Sequence, residues 1–165
     1  MTIPAAQNLT QSTVDSPVGT LTLVGSDRGL RAVLWPTERD GRVTFAEKVS
    51  SGSHAVLDLA AEQLNQYFDG HRTSFDLPYD VVGTPFQTAV WAALEQIPFG
   101  ETQSYGELAV TLDKPGAARA VGAATGRNPL SIVIPCHRLV GASGKLTGFA
   151  GGIEAKSWLL DHEAG

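Results

Sequence analysis

Cys136, His137 and Arg138 follow Pro135 in the stretch "IPCHRLVG" and put a thiol, an imidazole and a guanidinium on consecutive residues. The thiolate is the nucleophilic form of cysteine, and a neighbouring base or cation favours it. In a continued strand the Cys136 and His137 side chains would face opposite ways, whereas a turn after the proline brings both toward one pocket. A thiolate can attack an acyl carbon or an alkyl carbon. The acyl product is a thioester that water cleaves, so a cysteine hydrolase turns over. The alkyl product is a thioether that water does not cleave, so the protein reacts once. The residues leave both outcomes open, beside the plain alternative of a buried structural cysteine.

Downstream, "GASGKLTGFAGG" holds five glycines in twelve residues. Such a segment suits a loop whose backbone approaches a ligand closely, or a simple hairpin loop.

Several elements have to position this site. "TLTL" (Thr20–Leu23) alternates as a strand, "GSDRG" (Gly25–Gly29) turns, and "LRAVLW" (Leu30–Trp35) continues as a second strand. Val56, Leu57, Ala60, Leu64, Tyr67 and Phe68 fall at helical spacing, with Gly70 as the stop. Residues 73–83 are extended, broken by Pro78, and read as a linker into a second unit. Thr84–Pro85 opens a helix whose Phe86, Val90, Leu94 and Ile97 share a face. Ser104 and Glu107 form a capping box that starts a short helix through Leu112. "DKPG" (Asp113–Gly116) turns, and "AARAVGAATG" (Ala117–Gly126) is a further short helix. Two short helices across a tight turn outline a helix-turn-helix, or any αα-hairpin. The second helix carries alanine, glycine and valine with one long side chain, Arg119, so it offers little for reading base edges. Such a surface fits a shape or minor-groove contact with one inserted side chain, or tight packing on a neighbouring helix.

The 165-residue chain carries 12 basic and 17 acidic residues, a formal charge of −5. No overall basic field attracts nucleic acid, so any such contact must come from a local patch and be salt-sensitive. With 42% apolar residues the chain can bury a core. One cysteine excludes an internal disulfide and a multi-cysteine zinc site, and suits a reducing cytoplasm. The opening "MTIPAAQNLTQST" has neither a basic region nor an apolar core, and reads as a loose lead-in rather than a secretory signal. His54 and His71 carry no motif and read as ordinary surface or helix residues.

Together, "IPCHRLVGASGKLTGFAGG", "SYGELA", "GAARAVG" and "GRNP" closely resemble the O6-alkylguanine-DNA alkyltransferases, with the clear match over about residues 84–163. "DSPVGTLTLVGSDRGLRAVLW" looks like the opening hairpin of that family's N-terminal domain. The resemblance implies an α+β (α/β) chain. A small ribonuclease H-like sheet-plus-helix domain over 1–79 and a linker over 80–85 precede a mostly helical unit over 86–165 with a winged-helix-like helix-turn-helix. It also implies a single-turnover repair protein that flips O6-alkylguanine out of duplex DNA and moves the alkyl group irreversibly onto Cys136. O6-methylguanine would be the main substrate and O4-methylthymine a second.

By position, His137 would act as a base through a water and Glu163 would orient it. Asn128 would brace the turn, and Tyr105 would donate to N3 of the base. Arg119 would fill the gap in the duplex, with Lys114, Gly106, Ala118 and Ala120 beside it on DNA. Ser131, Leu139, Phe149, Ala150 and Gly151 would line the substrate pocket. Some relatives carry Tyr-Ser where this chain has Phe149 and Ala150, so hydroxyls are lost at the alkyl-facing wall. The resemblance further implies no cofactor, no metal, no membrane, and a monomer that binds double-stranded DNA without sequence preference, cooperatively if at all. Its place would be the cytoplasm, on the nucleoid if the source is bacterial. The alternatives are a cysteine hydrolase or peptidase using Cys136 and His137, and a non-catalytic alkyltransferase-like binder of damaged DNA. Proteins of the latter kind replace the acceptor cysteine, which is present here.

Overall fold

The computed structural model describes residues 8–146 and 149–165. The expectation of a lead-in over Met1–Gln7, and the two loop positions Thr147 and Gly148, lie outside the described residues.

Strands β1 (Leu9–Val14), β2 (Leu21–Ser26), β3 (Gly29–Leu34) and β4 (Val49–Ser51) form a sheet in the order β3-β2-β1-β4. The hairpins β1–β2 and β2–β3 are antiparallel, and β4 runs parallel to β1. Leu9–Val14 is therefore a strand, not part of a loose lead-in. Its Leu9-x-Gln11-x-Thr13 pattern is too polar to signal itself, and β2 supplies the pairing that orders it. The three-residue β4 gave no periodic signal either.

Both faces of the sheet are covered. Leu21, Leu23, Leu30 and Val33 join the main core, whereas Leu9, Val24 and Ala32 pack beneath Val43, Phe45 and Val49. Helix α1 (Ala55–Phe68) lays Val56, Leu57, Ala60, Leu64 and Tyr67 on the first face. The helix comes so close that a Cβ on Gly25 would meet Val56 Cγ1 at 2.7 Å. Glycine there also sits at the register shift between β2 and β3. His54 has a defined task after all: its Nδ1 accepts from the Val56 N–H as the N-cap of α1, and its Nε2 pairs with Asp27 at 2.8 Å.

The 73–83 stretch is extended as expected but is not a free tether. Leu30 N donates to Pro78 O at 2.8 Å and Asp80 N to Leu30 O at 2.9 Å, so it lies along β3. Asp80 also accepts from Ser26 and Arg31.

Helix α2 (Pro85–Glu95) starts with a capping box between Thr84 and Gln87 and Pro85 at its first position. Helix α3 (Tyr105–Thr111) starts with the Ser104–Glu107 capping box, and α4 (Ala118–Gly126) follows after the turn. The pair α3–α4 is the helix-turn-helix, and the Trp91 indole of α2 donates to Ala124 O of α4 at 2.8 Å. A short parallel pair joins β5 (Gln103–Ser104) to β6 (Leu139–Val140), and α5 (Ile153–Ala164) closes the chain. The architecture is mixed α+β, a sheet unit followed by a helical one. Among the described residues no helix is long and apolar enough to cross a membrane.

Candidate active site

The segment between α4 and β6 is shaped by its own hydrogen bonds. Asn128 Nδ2 donates to Ile134 O at 2.9 Å, and Asn128 Oδ1 accepts from Leu130 N at 3.0 Å. Ile134 N donates to Leu130 O at 2.8 Å, and Ile132 sits at φ 73°, a strained setting for a β-branched residue. Asn128 is fully buried and is thus the internal brace of the loop. Pro135 then leads into a 3₁₀ turn over Cys136–Arg138. That turn breaks the alternation of a strand, and it leaves Cys136 on a cavity wall while the His137 ring meets Glu163.

A polar chain lies behind the cysteine. His137 Nε2 meets Glu163 Oε2 at 2.7 Å, Arg138 Nε donates to Glu163 Oε1 at 2.8 Å, and the Tyr67 hydroxyl donates to Glu163 Oε2 at 2.6 Å. Arg138 also donates to Glu163 Oε2 at 3.1 Å and to Ile97 O at 2.6 Å. Burial alone would raise the Glu163 carboxyl, but the donors His137, Arg138 and Tyr67 outweigh it and hold the group well below the usual carboxylate range. Glu163 is therefore an acceptor only, and His137 donates through Nε2. Burial pushes the His137 imidazole down, with Glu163 opposing part of the shift, so the ring rests neutral. Its Nδ1 carries the lone pair, and that atom is buried with no hydrogen-bond partner among the described residues.

Cys136 is 5% exposed and lines a cavity of about 490 Å³ together with Arg39, Arg42, Tyr105, Gly122, Thr125, Gly126, Phe149, Ala150 and Lys156. That volume is in the range of small-ligand pockets. Burial pushes the thiol up, while a hydrogen bond with Asn128 and the charges of Arg42 and Lys156 pull it partly back. The resting group is the neutral thiol, and a base has to remove its proton.

Among the anticipated residues, the geometry brings Cys136, Tyr105, Phe149 and Ala150 to the cavity and His137, Glu163 and Asn128 directly behind it. Leu139, Ser131 and Gly151 stand outside its wall. Leu139 O accepts from Lys156 Nζ at 2.6 Å, Ser131 Oγ accepts from the Trp35 indole at 3.0 Å, and Gly151 lies against the Trp35 ring. Arg119, Lys114, Gly106 and Ala120 are exposed on the helix-turn-helix, and Ala118 is half-buried. Tyr105 packs beside Gly122, where a Cβ would come to 3.6 Å from its ring.

Sequence reasoning missed Tyr67, Trp35, Arg42 and Lys156. Arg42 crosses from the sheet unit, donating from Nη1 to Asn128 O at 2.9 Å and to Gly126 O at 3.2 Å, while its Nε pairs with Glu38. Lys156 had a legible signal: with Leu159 and Glu163 it forms the buried stripe of α5. Nothing local to Tyr67 or Trp35 distinguishes them from ordinary core aromatics. Among the described residues no three His, Cys, Asp or Glu side chains cluster as metal ligands.

Fold and site together define a two-unit α+β protein in which a helix-turn-helix flanks a buried thiol backed by an imidazole and a carboxylate. Residues 9–81 match the model of the "6-O-methylguanine DNA methyltransferase, ribonuclease-like domain", and residues 85–165 that of its "DNA binding domain". The chain belongs to the 6-O-methylguanine DNA methyltransferase family. It is 50% identical over 153 residues to the methylated-DNA–protein-cysteine methyltransferase of Mycobacterium tuberculosis H37Rv, covering 92% of this chain and 90% of that one. It is 43% identical over 150 residues to the protein of that name from Methanosarcina barkeri, covering 91% and 94%. A crystal structure of the Mycobacterium tuberculosis OGT in complex with DNA superposes with a TM-score of 0.83 at 46% identity, covering 95% of this chain and 92% of that one. The O6-methylguanine-DNA methyltransferase of Pyrococcus kodakaraensis shares the fold at 24% identity and a TM-score of 0.63, covering 95% and 99%.

Proposed function

We propose that this protein repairs O6-alkylguanine in DNA by moving the alkyl group onto Cys136 Sγ, once per molecule. One observation carries the mechanism: the thiol lines a cavity, and the adjacent imidazole turns a buried, unpartnered Nδ1 lone pair away from Glu163. A water bridging Sγ and Nδ1 lets His137 take the thiol proton, with Glu163 steadying the imidazolium. The thiolate then attacks the alkyl carbon. The S–C bond forms as the C–O6 bond breaks, and the electron pair passes into the guanine ring. Tyr105, on the cavity wall, donates toward N3 as that charge develops. A proton returns to the base, so neutral guanine leaves and the cysteine remains a thioether. Water does not cleave that bond, so one alkyl group is accepted per chain.

The O6 atom is reached only when the nucleotide leaves the stack. Helix α4 presents exposed Arg119 and Ala120 beside half-buried Ala118 and has no side-chain cap, a surface suited to close minor-groove approach without base reading. Arg119 fills the gap in the duplex, with Lys114 and Gly106 alongside, and the protein works on DNA as a monomer. The chain divides functionally into 1–79, a connection over 80–85, and an acceptor and DNA-binding unit over 86–165.

The direct test is to incubate the protein with a duplex containing O6-methylguanine and weigh the tryptic peptide that holds Cys136. One methyl group per protein on that peptide is expected. An unmodified peptide overturns the reading, and a transient acyl adduct from an ester substrate would favour a thiol hydrolase.

A further inference from the structure

Trp35, the first residue beyond β3, belongs to the sheet unit and is 3% exposed. Its contacts nevertheless run to the acceptor unit. The indole Nε1 donates to Ser131 Oγ at 3.0 Å, inside the loop that carries Cys136. The ring meets Phe149 edge-on, with centroids 5.4 Å apart and planes at 69°. A Cβ on Gly151 would approach Trp35 Cδ2 and Cε2 to 2.6 Å, so the backbone there lies flat on the indole and only glycine fits.

Phe149 lines the cavity with Cys136, and Trp35 does not. On the cavity side Phe149 also meets the Lys156 ammonium, 5.8 Å from its ring centroid. The wall residue is thus held between an indole from one unit and an ammonium from the other. Packed aromatic pairs prefer a narrow set of geometries and interiors do not yield continuously, so the indole fixes how far Phe149 can withdraw. Because the same indole is tied to Ser131, the position of the wall is set relative to the thiol.

We infer that Trp35 is a positioning residue that sets the size of alkyl group the cavity accepts, by holding Phe149 at the wall. This rests on the alkyl-transfer reading of the Cys136 site. A core residue with no such role would slow all substrates alike when changed. A residue that sets the wall changes the ratio between large and small substrates.

The test measures rates of Cys136 adduct formation from duplexes carrying O6-methylguanine or O6-benzylguanine. Trp35→Leu is expected to raise the benzyl-to-methyl rate ratio about tenfold, the scale on which apolar pockets discriminate size. Trp35→Phe, which keeps an aromatic edge, should leave the ratio within about twofold, well under that scale. Phe149→Ala should raise the ratio directly, and adding Trp35→Leu to it should change nothing more. If the leucine variant does not accumulate, Trp35→Met is read in the same way. A ratio unmoved by Trp35→Leu, or additive effects in the double variant, overturns the inference alone. No adduct from either duplex with the unmodified protein overturns the alkyl-transfer reading and this inference with it.

Discussion

The Tyr67 hydroxyl donates to Glu163 Oε2 at 2.6 Å across 96 residues of sequence, so a helix of the sheet unit completes the hydrogen bonds of the carboxylate that holds His137. Glu163 collects donors from Tyr67, His137 and Arg138 and is nearly inaccessible to water. Removing the hydroxyl as Tyr67→Phe leaves the other donors in place and should cost about 1–2 kcal/mol. Removing the carboxylate as Glu163→Ala leaves Arg138 buried without its counter-charge and should cost roughly 3–5 kcal/mol. Urea unfolding of both variants checks the order of the two losses.

Stability should depend on pH through the same group of residues. The folded His137 has a pKa lowered from 6.5, so below pH 6.5 the unfolded chain binds the proton more readily and stability falls as the pH drops. The folded Glu163 is lowered from 4.5, so its contribution is complete above pH 4.5 and is lost on further acidification. Melting temperature should therefore hold near neutrality, decline below 6.5 and fall more steeply below 4.5. In His137→Gln the first decline should disappear while the second persists.

Lys156 is 1% exposed, lines the cavity with Cys136, and burial pushes its ammonium down, an effect that Cys136 opposes once it is ionised. It faces Cys136 alongside Arg42, with His137 next in the chain, and it favours the ionised thiol. Replacing it as Lys156→Met should move the thiol titration further upward, whereas Lys156→Arg should restore most of it. The pH dependence of Cys136 reaction with a small disulfide reagent reads this shift. Loss of the bond to Leu139 O should add about 1–3 kcal/mol of destabilisation, which the titration does not register.

Arg119 is exposed on α4, away from the wall of the Cys136 cavity. Arg119→Ala should slow repair in duplex DNA about tenfold, part of the few kcal/mol that flipping costs, while leaving transfer from the free alkylated base within about twofold. Rates on the two substrates in parallel decide it, and equal losses would argue against a finger that fills the duplex.

The capping boxes Thr84–Gln87 and Ser104–Glu107 are local patterns, and both start their helices where the spacing predicts. The turn after Pro135 is likewise local, and the proline signals that the extended chain breaks just before Cys136. The sheet was legible only where apolar residues alternate. Leu9–Val14 and Val49–Ser51 become strands because β2 and β1 offer unpaired backbone groups, a condition no single segment encodes.

By itself, then, the sequence picked out Cys136 as a candidate nucleophile and outlined two short helices and the sparse surface around Arg119, because those depend on neighbours within a few positions. The resemblance to a family chose among the readings they left open. Tertiary structure alone decided what surrounds the thiol. Arg42 of the sheet unit and Lys156 of α5 line its cavity, while Tyr67 and Trp35 of the sheet unit bond to Glu163 and Ser131 around it. Their partners lie 96 residues away for Tyr67 and Trp35 and 86 for Arg42, so only the packing of one unit on the other brings them within hydrogen-bond range. Side-chain type is local, but burial is a property of the whole fold: burial here keeps the thiol neutral and the imidazole a base, while the donors gathered on Glu163 outweigh burial and keep the carboxylate an anion.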